Sequence, residues 1–347
     1  MKANEDLDLV ASCDPLTADE LDAPARRERA VRAHDLLNGI LAAQRPPAQP
    51  DAAANSSPSM SRRRVLVAGA GATAAAAAAA LVLANSNQTS RDKYIATPRL
   101  LNYQLAAGGT PPPPDALPPA EPVLLKLAEA AEHQGDIAEG AAGKTAYTKN
   151  RDWYLNVSVQ DRKGSAEVAE EANQRFWAPD GTRRTITQRP GRALTDTRSK
   201  GPRPRWLDPG LSARQLEHLL LAGPAQGGTA GYRLMGAITR LHQDEVISSR
   251  SAAAMWHMLA SQPTIRSLGR VRDRAGRTGQ AVTADADFGG KWSQRRVLII
   301  DPATGRLLAS EDFYLKKPRL LMVHQNAVSE YHIYLDRRWV TDVESAP

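Results

Sequence analysis

Cysteine is almost absent from this chain of 347 residues, and Cys13 is its single example. One thiol cannot form an internal disulfide, and it cannot supply a cysteine-based metal site. Everything after Cys13 lacks cysteine, which is compatible with an oxidising exterior. The chain therefore gains no stability from covalent crosslinks within itself.

Short catalytic motifs are also missing. The sequence contains no Gly-x-Ser-x-Gly, no phosphate-binding loop and no His-Glu-x-x-His. Its seven histidines are scattered singly, and the nearest approach to a cluster is His242 with Asp244 and Glu245. That group lacks the i, i+4 histidine pair of a helical zinc site. We predict that the chain is not an enzyme and holds no metal or cofactor, and the sequence leaves its ligand-binding residues unknown.

One long uncharged run decides the expected topology. Residues 65–84 read VLVAGAGATAAAAAAALVLA, and twenty helical residues span about 30 Å, the thickness of the hydrocarbon core of a bilayer. Arg62, Arg63 and Arg64 precede the run, and Asn85 and Ser86 follow it. By the positive-inside rule, we expect a single-pass membrane protein with a cytoplasmic N-terminus and an extracytoplasmic C-terminal domain.

Two other interpretations of this run stay open. The segment Ser61-Arg62-Arg63-Arg64 resembles a twin-arginine export signal, and Ala84 is a small residue of the kind that a signal peptidase accepts. A buried alanine-rich helix of a soluble protein is the third possibility. Export signals seldom follow a tail of sixty residues, which favours an uncleaved anchor.

Charge is distributed unevenly along the chain. The formal net charge is +7, but residues 1–60 carry six basic and ten acidic side chains, so this segment is at −4. The basic excess lies beyond the predicted span, which favours an anionic membrane or wall surface over nucleic acid. The basic candidates form either a solvated face or a surface attracted to anionic lipid or wall polymer: Arg183, Arg184, Arg203, Arg205, Arg295 and Arg296, with Trp206 and Trp292 near them.

The sequence divides into four parts. Residues 1–60 are predicted to be a cytoplasmic tail with one amphipathic helix, which is either a docking helix or a solvated tail. Residues 61–84 are the transmembrane anchor, and residues 85–121 form a proline-rich spacer that includes Pro111 to Pro114. Residues 122–347 form the extracytoplasmic domain.

The domain begins with helical spacing and continues with strand signals. A helix is predicted over residues 122–134, with Leu124, Leu125, Leu127, Ala128 and Ala131 buried. Alternation from Trp153 to Val159 predicts a strand, and residues 174–188 predict a hairpin that turns at Ala178-Pro179-Asp180-Gly181. Further helices are expected over 212–222, 230–241 and 251–261, with Ser212 and Ser251 as N-caps. Strands are expected over 265–273, 280–287, 295–300, 307–315 and 331–339.

This order of strands, helices and strands predicts an α+β fold with a mostly antiparallel sheet and helices on one face. Asp301-Pro302-Ala303-Thr304-Gly305 is predicted to be a structural turn. Asp273-Arg274-Ala275-Gly276-Arg277 is predicted to be a solvated turn whose two arginines are also candidates for contacting an anion. Glu311 is the misfit in an otherwise apolar face of its strand.

Several motifs resemble those of one family. They are the acidic start at residues 5–10, the arginine-preceded alanine-rich run, Phe176-Trp177 with Pro179-Asp180-Gly181, and residues 259–263, 273–279 and 300–308. With them the chain resembles the CU044_5270 family of sigma-factor-linked, single-pass membrane proteins from high-GC Gram-positive bacteria.

The resemblance implies context rather than chemistry. It implies envelope signalling and an outer domain remotely similar to the curved half-barrel of lipoprotein carriers and of periplasmic sigma-regulator sensors. The long cytoplasmic tail and the long helical middle depart from that carrier fold.

From these observations we expect a membrane-anchored protein that binds a ligand or partner outside the cell membrane and contacts a cytoplasmic sigma factor through residues 1–60. The alternative is a carrier or scavenger of lipid or lipoprotein, in which a curved sheet and the helix at residues 124–131 enclose an apolar cavity. A purely structural envelope protein is the third class.

Reporter fusions at the C-terminus test the predicted topology. Alkaline phosphatase should be active, green fluorescent protein should be dark, and the full-length chain should stay in carbonate-washed membranes, because the arginines hold the N-terminus inside. A shorter membrane-released product would indicate cleavage. Intact chain in the soluble fraction would contradict the anchor.

Overall fold

The computed structural model describes residues 94–103, 110–134, 143–160, 163–201, 210–222, 227–319 and 321–345. The predicted tail and anchor lie outside these ranges, as do Arg203, Arg205 and Trp206. None of the helices within these ranges has both the length and the apolar character needed to span a bilayer.

Among the described residues, four α-helices and nine strands follow a 3-10 turn at Pro114–Ala116. The first helix precedes four strands, three helices come next, and five strands complete the domain. In chain order the elements are α1 (Glu121–Glu132), β1 (Thr145–Gln160), β2 (Lys163–Trp177), β3 (Thr182–Gln188), β4 (Thr195–Lys200), α2 (Ala213–Leu221), α3 (Ala230–Asp244), α4 (Ser249–Ala260), β5 (Arg266–Arg272), β6 (Thr278–Asp287), β7 (Ser293–Ile300), β8 (Leu307–Lys316) and β9 (Val328–Val340).

All nine strands form one sheet in the order β4-β3-β2-β1-β9-β8-β7-β6-β5. Every neighbouring pair is antiparallel, so two meanders meet where β9 pairs with β1. Register shifts interrupt four of these pairings, at β1–β9, β5–β6, β7–β8 and β8–β9, and such bulges bend and twist a sheet. The predicted α+β class with a mostly antiparallel curved sheet is confirmed.

The helices pack against one face of the sheet. Leu124 and Leu127 of α1 are buried with Trp256 of α4 in one core cluster, which also includes Leu298 and Ile300 of β7. Because positions three and four apart share a helix face, the predicted buried set of α1 is confirmed with a single exception. Leu125 is 38% exposed, since it lies on the other side of the helix.

Non-helical segments cover the opposite face. Tyr103 and Leu117 are 1% and 5% exposed and belong to a second core cluster with Phe313. The Pro112 carbonyl accepts a hydrogen bond from Arg295 at 2.8 Å, and Pro119 forms a bridge with a residue of β5. The described parts of the region 85–121, for which the sequence predicts a spacer, therefore pack on the folded domain.

Most predicted elements lie within a few residues of the observed ones, and two differences have clear causes. Ser248, rather than Ser251, caps α4 by accepting a hydrogen bond from the Ser251 amide at 3.0 Å. Strand β4 was not predicted, because its sequence TDTRSK is polar throughout and all six of its residues are exposed. Its polar sequence carries no period-2 signal.

The turn at residues 301–305 forms as predicted. Asp301 accepts hydrogen bonds from the Ala303 amide at 3.0 Å and the Thr304 hydroxyl at 2.8 Å. Gly305 has a φ of 63°, and a Cβ atom at this position would lie 2.6 Å from the Leu127 carbonyl oxygen. The turn therefore packs against α1 at a distance that only glycine permits.

The turn at residues 273–277 is solvated at Ala275 and Gly276, as predicted, but its charged side chains are bound within the domain. Asp273 is 4% exposed and accepts a hydrogen bond from Arg277 at 2.8 Å. Arg274 donates to Glu311 at 2.6 Å, and Glu311 is 2% exposed. The carboxylate of Glu311 is thus the anion that Arg274 contacts, which explains the misfit residue in β8.

Substitution of Gly305 by alanine should destabilise the domain strongly. The change adds backbone strain of about 1 kcal/mol and an overpacking cost of about 1–3 kcal/mol against α1. Chemical unfolding followed by tryptophan fluorescence measures the loss. Gly276→Ala is the matched control, because Gly276 has a φ of 82° and an open Cβ position. Equal losses of unfolding free energy in the two variants would contradict the close packing of α1 against Gly305.

Candidate functional site

Helix α3 lies across a polar part of the sheet. Its first turn contacts β7 and β8 through Tyr232. The Arg296 guanidinium of β7 lies 4.4 Å from the centroid of the Tyr232 ring, and the Tyr232 hydroxyl donates to Asp312 of β8 at 3.4 Å. Its last turn contacts β1 and β2, where the Gln243 carbonyl accepts hydrogen bonds. The strands beneath α3 therefore present charged and amide side chains to a helix.

An ion pair lies beneath the start of α3. Arg296 and Asp312 face each other on β7 and β8 at 2.6 Å, and their side chains are 13% and 4% exposed. Burial alone lowers the pKa of Arg296, but the charge and hydrogen bonds of Asp312, together with Tyr232 and Glu330, outweigh burial and raise that pKa above its ordinary value. The pair is charge-assisted and has two parallel contacts, since Nε and Nη2 both donate to Asp312.

A second buried pair joins β1 and β9. Nδ1 of His332 lies 2.9 Å from Oδ1 of Asp152, and the two side chains are 6% and 1% exposed. Burial alone lowers the pKa of His332, but the hydrogen bond to Asp152 and the negative charges of Asp152 and Glu330 together outweigh burial and raise it to about 9. Burial raises the pKa of Asp152, but the hydrogen bond and charge of His332, together with Arg175 and Asn173, lower it overall. Both groups are therefore charged at neutral pH.

The C-terminal end of α3 receives three donors at one carbonyl oxygen. Thr148, Asn150 and Arg175 donate to the Gln243 carbonyl at 2.9, 2.9 and 3.1 Å. The last carbonyl groups of a helix carry partial negative charge. The positive charge of Arg175, the donor from β2, is therefore favourable beside these carbonyl groups. Arg175 also contacts Asp244 at 3.5 Å.

The sequence candidate at residues 242–245 does not form a cluster. His242 is buried, and its Nδ1 bonds the Ile238 carbonyl at 2.9 Å. Burial, reinforced by Arg337, holds the pKa of His242 well below its usual value. Asp244 instead contacts Arg175. Within the ranges that the structure describes, no three His, Cys, Asp or Glu side chains are arranged to hold a metal ion.

The polar region under α3 joins the helix to the sheet. Its main charged groups face partners within the domain. The region is only partly open to solvent, at the Glu330 side chain, which is 37% exposed. Sequence reasoning missed it because its members come from separated strands, and the pair Asp152–His332 is 180 residues apart. The signal in the sequence was polar residues at alternating positions, as in Asn150, Asp152 and Tyr154.

The expected apolar cavity beside residues 124–131 is filled by side chains. Leu124 is 0% exposed, Trp256 is 0% exposed, and the Trp256 indole donates to the Gly305 carbonyl at 2.8 Å. A depression of about 380 Å³ lies instead on the surface at α2, lined by Arg214, Glu217, His218, Leu221 and Ala222. The expected enclosure between α1 and the sheet is therefore packed core.

The two edges of the sheet differ. Edge strand β5 is covered at its start, because the Ser267 amide donates to the Pro118 carbonyl at 2.9 Å and the Ala120 amide donates to the Ile265 carbonyl at 3.2 Å. Edge strand β4 is exposed at all six residues. Leu194, directly before β4, is 57% exposed. An exposed edge strand presents backbone groups that can pair with another chain.

The basic residues predicted to form a surface fall into two sets. Arg184 belongs to the edge region, where it contacts Asp196 at 2.8 Å, and Arg183 lies 3.5 Å from the centroid of the Trp177 ring. Arg295 is 1% exposed and pairs with Asp285 at 2.6 Å. The prediction of a solvated or lipid-facing surface is wrong for Arg295 and for Arg296, which is only 13% exposed, because both pair with carboxylates of the domain.

Comparison with known proteins gives remote structural similarity alone. No protein-family model matches the chain, and no curated protein matches it. A structure of MucB in complex with MucA(peri) is 17% identical over 66% of this chain and 57% of that chain, with a TM-score of 0.23. The Pseudomonas aeruginosa MucA/MucB complex is 17% identical over 66% and 58%, with a TM-score of 0.23.

A putative outer membrane lipoprotein-sorting protein domain from Vibrio parahaemolyticus is 11% identical over 64% of this chain and 94% of that chain, with a TM-score of 0.20. The present chain thus spans less than two thirds of the first two structures. The family resemblance drawn from the motifs stays a prediction.

The free energy of unfolding should fall as the pH rises from about 6.5 to about 9. The folded-state pKa of His332 is raised from 6.5 to about 9, so its contribution is complete below pH 6.5 and is lost as pH rises through 9. The shift corresponds to at most about 3–4 kcal/mol. Urea unfolding of His332→Gln should show a flatter profile across this window, whereas His218→Gln, on exposed α2, should keep the parent slope. An unchanged slope in His332→Gln would contradict a charged His332.

Proposed function

We propose that this chain is a membrane-anchored, extracytoplasmic protein-binding protein of the cell envelope, and that the β4 edge receives an extended, acidic segment of its partner. The observation that carries the proposal is the open edge strand β4, with all six residues exposed. The anchor, and contact between residues 1–60 and a cytoplasmic sigma factor, are parts of the same proposal that come from the sequence.

Strand addition is the binding mode that this edge supports. An extended peptide gains affinity from main-chain hydrogen bonds to an edge strand and specificity from its alternate side chains. At the opposite edge of the sheet, residues 118–120 occupy the start of β5. Leu194 adds an exposed apolar contact at the entrance to the strand.

The charge of the edge region favours an acidic partner. Residues 180–200 contain six basic and two acidic side chains. Arg198 and Lys200 are 56% and 72% exposed, and their contacts with Glu344 and Asp180 are surface ion pairs. Surface pairs contribute little and exchange readily, so a partner carboxylate can replace them.

The absence of enzymatic activity belongs to this proposal. It is supported by the pairing of charged groups beneath α3, where Asp152 faces His332 and Asp312 faces Arg296. A general acid or base has to reach a substrate proton, whereas these groups are occupied by one another. The lipid-carrier alternative receives less support, because packed side chains fill the space between α1 and the sheet.

Binding of short peptides to the full-length chain tests the proposed edge. A fluorescent octapeptide of alternating Glu and Val should bind, as measured by anisotropy, and one of alternating Lys and Val should not. The double variant Arg198→Glu with Lys200→Glu should weaken binding of the acidic peptide at least tenfold.

The matched control is Arg270→Glu with Arg272→Glu, which makes the same charge change on exposed residues of the covered edge strand β5. Its affinity should equal that of the parent protein. Equal loss in both variants would show that only net charge matters, and it would rule out strand addition at β4. Failure of residues 1–60 to bind a sigma factor encoded beside this chain would contradict only the proposed contact with a sigma factor.

A further inference from the structure

One end of the sheet combines basic, aromatic and apolar side chains. The β6–β7 and β8–β9 connections lie side by side there, because β7 and β8 pair directly and Ser293 is the partner of Lys316. The first described residues of the chain reach the same end. We name this surface the basic–aromatic end, and its members are Tyr94, Lys291, Trp292, Lys316, Lys317 and Met322.

Contacts join these residues into one surface. The Tyr94 ring stacks on His324 with centroids 4.3 Å apart, and the Lys317 ammonium lies 5.1 Å from the Tyr94 centroid. The Ile95 amide donates to the Met322 carbonyl at 2.6 Å. Lys316 donates to the Gly290 carbonyl of the β6–β7 turn, so the two connections are in contact.

Charge at this end is mostly of one sign. From Tyr314 to Val328 the chain carries Lys316, Lys317 and Arg319 and no acidic residue. In the adjacent turn the exposed Asp287 carboxylate accepts from the Gly290 amide at 2.5 Å. Tyr94 is 48% exposed and Met322 is 37% exposed. The surface therefore offers cations together with apolar and aromatic groups.

The length of the connecting chain places this end close to the membrane. Residues 85–93 separate the uncharged run from Tyr94, and nine residues span at most about 30–35 Å when fully extended. Because Tyr94 lies on the basic–aromatic end, that end is the part of the domain closest to the anchor along the chain.

We propose that the basic–aromatic end docks on the outer surface of the membrane that holds the anchor, with anionic lipid headgroups as its ligand. Lysine side chains attract anionic headgroups. Tyrosine and tryptophan favour the membrane–water interface, and the exposed methionine adds apolar contact. The proposal rests on the proposed anchor for its orientation and on the described residues for its chemistry.

Docking at this end leaves the β4 edge free. Five strand spacings separate β8 from β4 along the sheet, which is about 24 Å at about 4.8 Å per spacing. A partner can thus pair with β4 while the other surface rests on lipid. Docking would also fix the distance of that edge from the bilayer.

Hydrogen exchange of the full chain in lipid nanodiscs tests this surface. One disc contains phosphatidylcholine alone, and the other adds 30% phosphatidylglycerol. Amides of residues 315–325 and 288–293 should exchange at least fivefold more slowly in the anionic discs at 50 mM salt. The difference should disappear at 500 mM salt, because exposed charges are screened.

Lys316→Glu with Lys317→Glu should abolish the protection. Lys126→Glu with Lys149→Glu changes the same charge at two exposed lysines on α1 and β1, and it should retain the protection. Equal exchange in neutral and anionic discs would overturn the docking proposal, as would protection that survives Lys316→Glu with Lys317→Glu. Failure of the chain to co-purify with discs of either composition would contradict the anchor instead, because co-purification is measured separately from the difference in exchange.

Discussion

Two buried ion pairs beneath α3 are the constraint on which the rest of this fold depends. Asp152–His332 joins β1 to β9, where the two meanders meet, and Arg296–Asp312 joins β7 to β8 beneath the first turn of the helix. Each charge lost its hydration on burial, so each needs its partner, and removal of one member typically costs about 3–5 kcal/mol. The pairs therefore select one register and one position for α3.

This arrangement leaves the surface of the domain for the contacts that we propose. Side chains fill the space between the helices and the sheet, and a second core fills the opposite face. The described surface offers two distinct regions, an open edge strand and a basic–aromatic end. In our proposals the first region receives an extended polypeptide and the second contacts anionic lipid, so that one domain would hold a partner at a defined height above a membrane.

Local patterns predicted much of this fold. Apolar spacing located α1 and the strands β5 to β9, and turn residues located the tight connections at 178–181 and 301–305. Strand β4 was missed because its residues are polar on both faces. Arg295 and Arg296 were misplaced because their partners, Asp285 and Asp312, lie on neighbouring strands. Sheet order brings these charges together, and no local spacing encodes sheet order.

A double-mutant cycle on Arg296 and Asp312 tests the central claim most directly. Unfolding free energies are compared for Arg296→Met, Asp312→Leu and the double variant. Each single change should be strongly destabilising, and the double variant should recover at least about 2 kcal/mol relative to the sum of the two. Simple additivity of the two losses would contradict the claim that a paired, buried charge holds α3 on the sheet.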